Sequence, residues 1–294
     1  MSGKCGRPKR KPKTDKGSIY LTREVFRFDH CDDGNVRLFI GTKTNNIGYL
    51  SFKAHGKFEI PNSLYVRKER GHYYVSFCYE QGQPDRKLST NEEHLAFLQG
   101  ATREYLEEHT MGVDRGVAIP VCAGEQTYDF THSQKKNMSK ADRYIKRLQR
   151  KLARQQKGSN RRAKTKHRIA VHHAKKANIR NDFAHKTSRL LVDSSAKIIV
   201  FEALRTARMT RRPKAKQDEQ GRFISNKAKQ KAGLNKSILN VGWHVIETYT
   251  YYKAYSSSKA VFKIPAPTTS QECAKCGHTH PDNRKTQALF VCGN

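Results

Sequence analysis

Two stretches decide the fold: Met111-Gly112-Val113-Asp114-Arg115-Gly116 and Ala196-Lys197-Ile198-Ile199-Val200-Phe201-Glu202. The first sets a single acid in an otherwise apolar strand and follows it with a glycine turn into a second strand. Asp is disfavoured in strands, and a half-buried carboxylate wants a cation. The second is almost continuously apolar, as expected of a strand buried on both faces, and it also ends on an acid. Mg²⁺ takes few carboxylates, several waters and the substrate phosphate. Two such ions about 4 Å apart stabilise the attacking and leaving oxygens of phosphodiester hydrolysis together. Two acids on separate strands suit that task. Taken singly, Asp114 also reads as a turn former and Glu202 as a strand-end acid.

Working outward, Met111–Arg115, Val117–Val121 and Gln126–Phe130 are three short strand candidates. Ser139–Asp193 reads as two long helices broken at Lys157-Gly158-Ser159-Asn160. Ile145, Leu148 and Leu152 mark one apolar stripe; Ile179, Phe183 and Leu190 mark the other. After the strand at Ala196–Phe201, Thr206–Lys231 is polar and basic and reads as a mobile loop. Leu234–Tyr255 is a third helix, with Ile238, Val241, Val245, Tyr249 and Tyr252 at helical spacing, and Val261–Ile264 is a last strand. The order strand–strand–strand–helix–strand–helix–strand predicts a mixed α/β, ribonuclease H-like domain over 109–264. Its first and fourth strands lie side by side, which makes Asp114 and Glu202 neighbours.

Upstream, Met1–Gly17 carries seven Lys/Arg among Gly and Pro and is expected to be a disordered basic arm. Residues 18–108 read as a β-rich domain and a linker. Its strand candidates are Ile19–Phe28, Val36–Ile40, Gly48–Lys53, Ser63–Lys68 and Tyr73–Tyr79, separated at Asp32-Asp33-Gly34, His55-Gly56 and Arg70-Gly71. They suggest a small antiparallel sheet or partial barrel, with Tyr73–Phe77 packed on both faces. Gln81–Glu108 is polar and acidic, a linker with a short helix.

The net charge is +32, with a pI near 10.0. Self-repulsion on that scale calls for a polyanion. Residues 135–180 hold 18 Lys/Arg against one acid, Asp142. A solvated face interleaves both signs, and like charges at i and i+4, as in Lys146/Arg150/Arg154, oppose the helix unless neutralised. A phosphate backbone neutralises them and releases counterions. The candidate nucleic-acid contacts are Arg143, Lys146, Arg147, Arg150, Lys151, Arg154, Arg161, Arg162, Lys164, Lys166 and Arg168. No run approaches the roughly 18 apolar residues of a membrane span. The basic N-terminus precedes no apolar core, so it does not read as a secretory signal. Cytoplasmic residence follows by default.

Of seven cysteines, Cys5, Cys31, Cys78 and Cys122 are scattered and read as free thiols. Cys273-Ala-Lys-Cys276-Gly277 forms a knuckle, and 15 residues separate Cys276 from Cys292, the spacing of a zinc ribbon. A tetrahedral Zn²⁺ site needs four ligands, and Asn294 falls one residue before a fourth Cys would. Three outcomes stay open: the knuckle continues beyond Asn294, His278 or His280 substitutes, or zinc is lost.

Together these residues resemble the TnpB/OrfB family of insertion-sequence proteins, relatives of the type V CRISPR effector nucleases. The resemblance runs from about Ser18 to Asn294. It rests on GVDRG (112–116), RLQRKLAR (147–154), GSNRR (158–162), IRNDFAHKTSRLLV (179–192), VFEAL (200–204), LNKSILNVGW (234–243), YKA (252–254) and PAPTTSQECAKCGHTHP (265–281). It implies a RuvC-type nuclease domain with an inserted helical hairpin (134–193). A noncoding guide RNA would direct that domain to target DNA, and cutting would require Mg²⁺. Older naming calls such proteins transposases, which act in DNA recombination on the prokaryotic nucleoid. Asp114 would match the first catalytic carboxylate and Glu202 the second. Cys273, Cys276 and Cys292 would match three Zn²⁺ ligands of a ribbon over 265–294, and residues 18–80 a wedge-like barrel that holds RNA scaffold and duplex. Two departures follow. Nothing before Ser18 corresponds to the family's start and helical recognition part, and the family's third catalytic Asp lies beyond a fourth Cys, where Asp282 does not stand. The expectation is a family member shortened at both ends, with weak or absent cleavage. The rivals are a nuclease-dead binder or RNA-guided repressor, and a plain RNA-binding protein whose Asp114 and Glu202 lie far apart.

Overall fold

A computed structural model describes residues 17–30, 34–54, 58–69, 72–79, 89–286 and 289–293. The basic arm before Gly17, the turns at 31–33, 55–57 and 70–71, and the first part of the linker at 81–88 lie outside them. The chain forms two compact units. One comprises residues up to Arg86 together with Arg154–Val171; the other comprises Lys87–Ala153 and His172–Asn294.

The first unit contains β1 (Gly17–Thr22), β2 (Phe26–His30), β3 (Asn35–Gly41), β4 (Asn46–Lys53), β5 (Ser63–Glu69) and β6 (His72–Ser76). They make two antiparallel sheets, β1–β5–β6 and β2–β3–β4, around one core. The single strand expected at Ile19–Phe28 is broken by a 3₁₀ turn at Arg23–Val25, where the Arg23 N–H donates to the Asn62 carbonyl at 3.1 Å. Leu21 and Phe26 are both buried in this core, yet an odd spacing would point them to opposite faces of one strand. The turn resets the parity. Tyr73 and Tyr74 on β6 face solvent rather than packing on both sides.

The second unit opens with α1 (Asn91–Gln99) and α2 (Arg103–His109), two helices where one was expected. β7 (Thr110–Asp114), β8 (Val121–Ala123) and β9 (Gln126–Tyr128) follow, then α3 (His132–Ala153), α4 (Asn160–Asp193) and β10 (Ile198–Glu202). The basic segment after β10 is ordered into α5 (Thr206–Met209) and a hairpin of β11 (Lys216–Gln217) and β12 (Phe223–Ile224), rather than being a loop throughout. α6 (Ala228–Val241), α7 (Trp243–Ser256) and β13 (Ala260–Ile264) complete the regular elements.

The central sheet has the order β13–β10–β7–β8–β9. β13, β10 and β7 are parallel; β7, β8 and β9 are antiparallel. Counted within this unit, the first and fourth strands are direct neighbours. Val113, Val121, Ile199, Phe201 and Val261 of the sheet pack against Phe183, Leu191, Val192, Ile238, Trp243 and Ile246 of α4, α6 and α7.

Several expected bounds move, each for a local reason. α3 begins at His132, not Ser139, because Thr131 and Gln134 form a capping box: the Gln134 N–H donates to Thr131 Oγ1 at 3.2 Å and the Thr131 N–H to Gln134 Oε1 at 2.9 Å. The strand expected at Val117–Val121 starts only at Val121. Gly116 folds so tightly that an added Cβ would lie 2.6 Å from the Ile119 carbonyl oxygen, and Pro120 has no N–H for a ladder. The single helix expected over Leu234–Tyr255 is split at Gly242, whose φ of +78° ends α6 and starts α7. On α4 the buried stripe continues through Thr187 to Leu191, leaving Leu190 exposed; Tyr252 on α7 is exposed as well.

Candidate functional site

The register of β7 and β10 places Val113 opposite Phe201. Asp114 and Glu202 are therefore one step further on, at the carboxyl ends of adjacent parallel strands about 4.8 Å apart. Asp114 is exposed and Glu202 half-buried. Their adjacency removes the reading in which the two acids lie far apart. Glu202 Oε1 accepts from Thr269 Oγ1 at 2.9 Å. Asp114 pairs across the ladder with Cys122, whose thiol is pushed up by burial and then by the Asp114 charge.

Behind these acids is an ion network that the sequence did not disclose. Arg115 turns inward from the end of β7, its side chain only 2 % exposed. It donates from Nη1 to Glu247 Oε2 on α7 at 2.8 Å and from Nη2 to the Glu202 carbonyl, and its guanidinium sits 5.1 Å from the Phe201 ring centroid. Lys263 of β13 pairs with the other Glu247 oxygen. Burial alone would push the Glu247 carboxyl up, but the Lys263 and Arg115 hydrogen bonds and charges outweigh it and hold it below the usual carboxylate range. One network thus ties the ends of β7, β10 and β13 to α7. The Trp243 indole N–H donates to the Gly116 carbonyl at 3.0 Å and fixes the turn after β7 from the same helix.

The residues directly after Glu202 line a cavity of about 750 Å³ that carries Arg205, Arg208 and Lys263. None of the three was among the cations expected to contact nucleic acid: Arg208 fell in the segment read as a loop, and Lys263 in the last strand. Of the cations that were so expected, Arg143, Lys146, Arg147, Arg150, Lys151, Arg154, Arg161, Lys164, Lys166 and Arg168 are exposed on α3, α4 and their connection. Arg162 differs, being half-buried with Nη1 on the Gln155 carbonyl at 3.0 Å. Asp142, the one acid of the segment, accepts from Lys176 at 2.6 Å and Lys236 at 2.9 Å, so it clamps α3 to α4 and α6 instead of diluting the outer charge. Beside it a cavity of about 970 Å³ is lined by Lys146, Lys176, Arg180, Arg212, Lys229 and Lys236. Arg212, Lys229 and Lys236 extend the basic surface beyond the hairpin.

The ligand atoms of Cys273, Cys276 and Cys292 all lie within 4.8 Å of one another, and the Cys276 and Cys292 sulfurs are 3.6 Å apart. A tetrahedron with Zn–S bonds of about 2.3 Å has S···S edges of about 3.8 Å, so three thiols stand where a zinc ion could take them. Neither His278 nor His280 joins the cluster among the described residues. Backbone N–H groups of Cys276 and Lys275 hold the Cys273 thiol down at about 7. Asn283, 1 % exposed, joins the two halves of the knuckle. Its Nδ2 donates to the Gln271 and His278 carbonyls at 2.9 and 3.0 Å, and its Oδ1 accepts from the Gly293 N–H at 3.0 Å. Among the described residues no helix is long and apolar enough to cross a membrane.

Residues 76–212 match the family model OrfB_IS605, described as "Probable transposase". Over 274 residues the chain is 35% identical to InsQ of Escherichia coli (strain K12), whose name places it among RNA-guided DNA endonucleases. The chain is thus similar to the OrfB (TnpB) family. It is also 26% identical over 249 residues to the CRISPR-associated endodeoxyribonuclease Cas12f1 of Sulfoacidibacillus thermotolerans. These alignments take in 92% and 81% of this chain, but the chain spans only 61% and 50% of the two relatives. The cryo-EM structure of a Cas12f1–sgRNA–target DNA complex superposes with a TM-score of 0.58 at 11% identity, over 99% of this chain and 64% of that one. That likeness is one of fold, and it agrees with the mixed α/β class.

Proposed function

We propose that this chain is a member of the OrfB (TnpB) family and a transposon-associated, RNA-guided DNA endonuclease built on a RuvC-type, ribonuclease H-like domain. The observation that carries the reading is the parallel pairing of β7 with β10, which brings Asp114 and Glu202 to neighbouring strand ends. Both are hard oxygen donors, one exposed and one steadied by Thr269, a set that fits Mg²⁺. When bound, the metal would stabilise the attacking and leaving oxygens of the scissile phosphate. Arg115 and Glu247 hold the strand ends in place, and Arg205, Arg208 and Lys263 offer positive charge to phosphates next to the acids. The cations of α3 and α4 hold the guide RNA and target DNA, which puts the protein on the nucleoid. Cys273, Cys276 and Cys292 hold Zn²⁺ as the core of a ribbon. The names of InsQ and Cas12f1 support this reading.

One observation favours a second reading for these 294 residues alone. Among the described residues no third carboxylate, His or Cys joins Asp114 and Glu202 in a metal-binding group. Cleavage by this stretch is then weak or absent while nucleic-acid binding persists. The test is Mn²⁺ binding and Mg²⁺-dependent plasmid nicking by the chain together with the RNA that copurifies with it. Asp114→Ala and Glu202→Ala are each expected to lower Mn²⁺ affinity and to abolish any nicking. Metal affinity and nicking that both survive in these variants would overturn the assignment of the two acids.

A further inference from the structure

The outer face of the β1–β5–β6 sheet is aromatic where a solvent-facing sheet is ordinarily charged. Tyr20 stands opposite Tyr65, which stands opposite Ser76; in the next row of that face come Ser18, Arg67 and Tyr74. Leu21, Leu64 and Val66 of the same strands go to the core, while Tyr20, Tyr65 and Tyr74 stay 54%, 48% and 51% exposed. The Tyr20 and Tyr65 ring centroids are 4.9 Å apart, and Arg67 is tethered among the tyrosines by its bond to Ser76 Oγ at 2.9 Å. The other sheet of this unit differs. There Arg27 covers Phe39 at 4.6 Å and Arg37 covers Tyr49 at 4.7 Å, so the rings already have cations on their faces. Among the described residues no cation sits over Tyr20, Tyr65 or Tyr74.

Contiguous exposed rings mark a contact surface. A second copy of the chain would bring another charge of +32 against this one. An unpaired polynucleotide instead brings base faces, which stack on tyrosine, and phosphates for Arg67; a duplex keeps those faces covered. Ser18, Ser76 and the three phenol groups also offer hydroxyl partners to a ribose 2′-OH, which only RNA carries. We propose that this face is a stacking platform for an unpaired segment of RNA. Tyr20, Tyr65 and Tyr74 take bases, and Arg67 takes a phosphate. The proposal rests on the RNA-guided reading for the source of that segment.

The experiment is fluorescence anisotropy with the full chain over a salt series, using a short oligouridylate, an oligothymidylate of equal length and an RNA duplex. Tyr20→Thr/Tyr65→Thr/Tyr74→Thr keeps strand propensity and removes the rings. It is expected to weaken oligouridylate binding at least about tenfold. The salt slope stays unchanged, since no cation is lost, and so does duplex affinity. The corresponding triple Phe variant, which keeps the rings, is expected to bind like the parent. Unchanged oligouridylate affinity in the Thr variant, an equal loss on the duplex, or a loss in the Phe variant would overturn the platform. Oligothymidylate bound and lost equally would overturn the choice of RNA. Failure of the RNA-guided reading is distinguishable from all of these: no RNA would then copurify with the chain, while tyrosine-dependent oligouridylate binding persisted.

Discussion

The inward-turned Arg115 makes the sharpest quantitative claim. Its side chain is 2 % exposed and that of Glu247 is 12 % exposed, so replacing Glu247 by Leu strands a buried guanidinium. Breaking a buried pair in this one-sided way costs about 3–5 kcal/mol. Lys263 is 45% exposed and can turn to water, so it adds little to the loss. Arg115 cannot: its Nε is buried without a hydrogen-bond partner, and the substitution would strip Nη1 as well. About 4 kcal/mol is therefore expected for Glu247→Leu. Arg115→Met leaves Glu247 paired with Lys263 and loses the bonds to Glu247 and to the Glu202 carbonyl and the contact over Phe201, together about 2–3 kcal/mol. The double variant contains no stranded charge and should be more stable than Glu247→Leu alone. Urea unfolding followed by the emission of Trp243 reports on this directly. Trp243 is the only tryptophan, is buried, and is bonded to Gly116 in the same unit. A loss below about 1 kcal/mol for Glu247→Leu, or a double variant less stable than both singles, would refute the reasoning.

Other predictions follow from the same geometry. Gly116→Ala drives a Cβ to 2.6 Å from the Ile119 carbonyl. It should cost about 2 kcal/mol and, by loosening the Trp243 bond, shift its emission to the red. Asn283→Ala removes the Nδ2 bonds to the Gln271 and His278 carbonyls and the acceptor of the Gly293 N–H, and so unties the two halves of the knuckle. It should weaken Zn²⁺ binding, followed by competition with a chromogenic chelator, about 10–100-fold. Acid should destabilise the second unit through Asp142 and Glu247. Burial pushes both up, but the bonds from Lys176 and Lys236, and from Lys263 and Arg115, hold both below their ordinary values of 3.8 and 4.5. Their contribution is complete above those values and is lost as pH falls through the lower folded ones. The urea midpoint should thus hold steady from neutral pH down to about pH 5 and fall below about pH 4, a fall that Glu247→Gln and Asp142→Asn would blunt.

Where a pattern was local, the sequence carried the fold. Strand β10 was legible because Ile198, Ile199, Val200 and Phe201 are apolar without a break, and the helical hairpin because Gly158 interrupts two long periodic runs. The errors arose where a tertiary contact decides between two local options. Leu190 and Leu191 both lie at helical spacing from Phe183, seven and eight residues on, and only the sheet beneath α4 selects Leu191. The 3₁₀ turn at Arg23–Val25 could have been found from parity, since Leu21 and Phe26 cannot share a face of one strand. The start of α3 could have been found from the Thr131–Gln134 capping box. Tyr73 and Tyr74 were misread because strands covered on one face and on both share the same β-branched and aromatic composition, and only what packs on the sheet distinguishes them.

The candidate site divides along the same line. Asp114 and Glu202 could be read because each breaks an apolar run, and because strand order alone makes their strands adjacent. The residues that hold them could not. Arg115 lies inside the motif, but its carboxylate partner is 132 residues away on α7, in a helix whose apolar face gives no hint of a buried acid. Lys263 was read only as part of the last strand, with nothing to mark it as paired. A buried ion pair has no periodic signature, because neither member can be identified as paired until the chain has closed the distance. The cations followed the opposite logic. Those on α3 and α4 were visible in bulk because a run of one sign needs no partner, yet bulk charge did not separate Arg162, which bonds back to Gln155, or Lys176, which is taken by Asp142. Lys176 is buried against an acid and an amide from two other helices, so its loss should unfold rather than merely unbind. Lys176→Met is therefore expected to shift the urea midpoint while leaving the salt slope of nucleic-acid binding unchanged, whereas Arg147→Ala is expected to lower the slope and leave the midpoint in place.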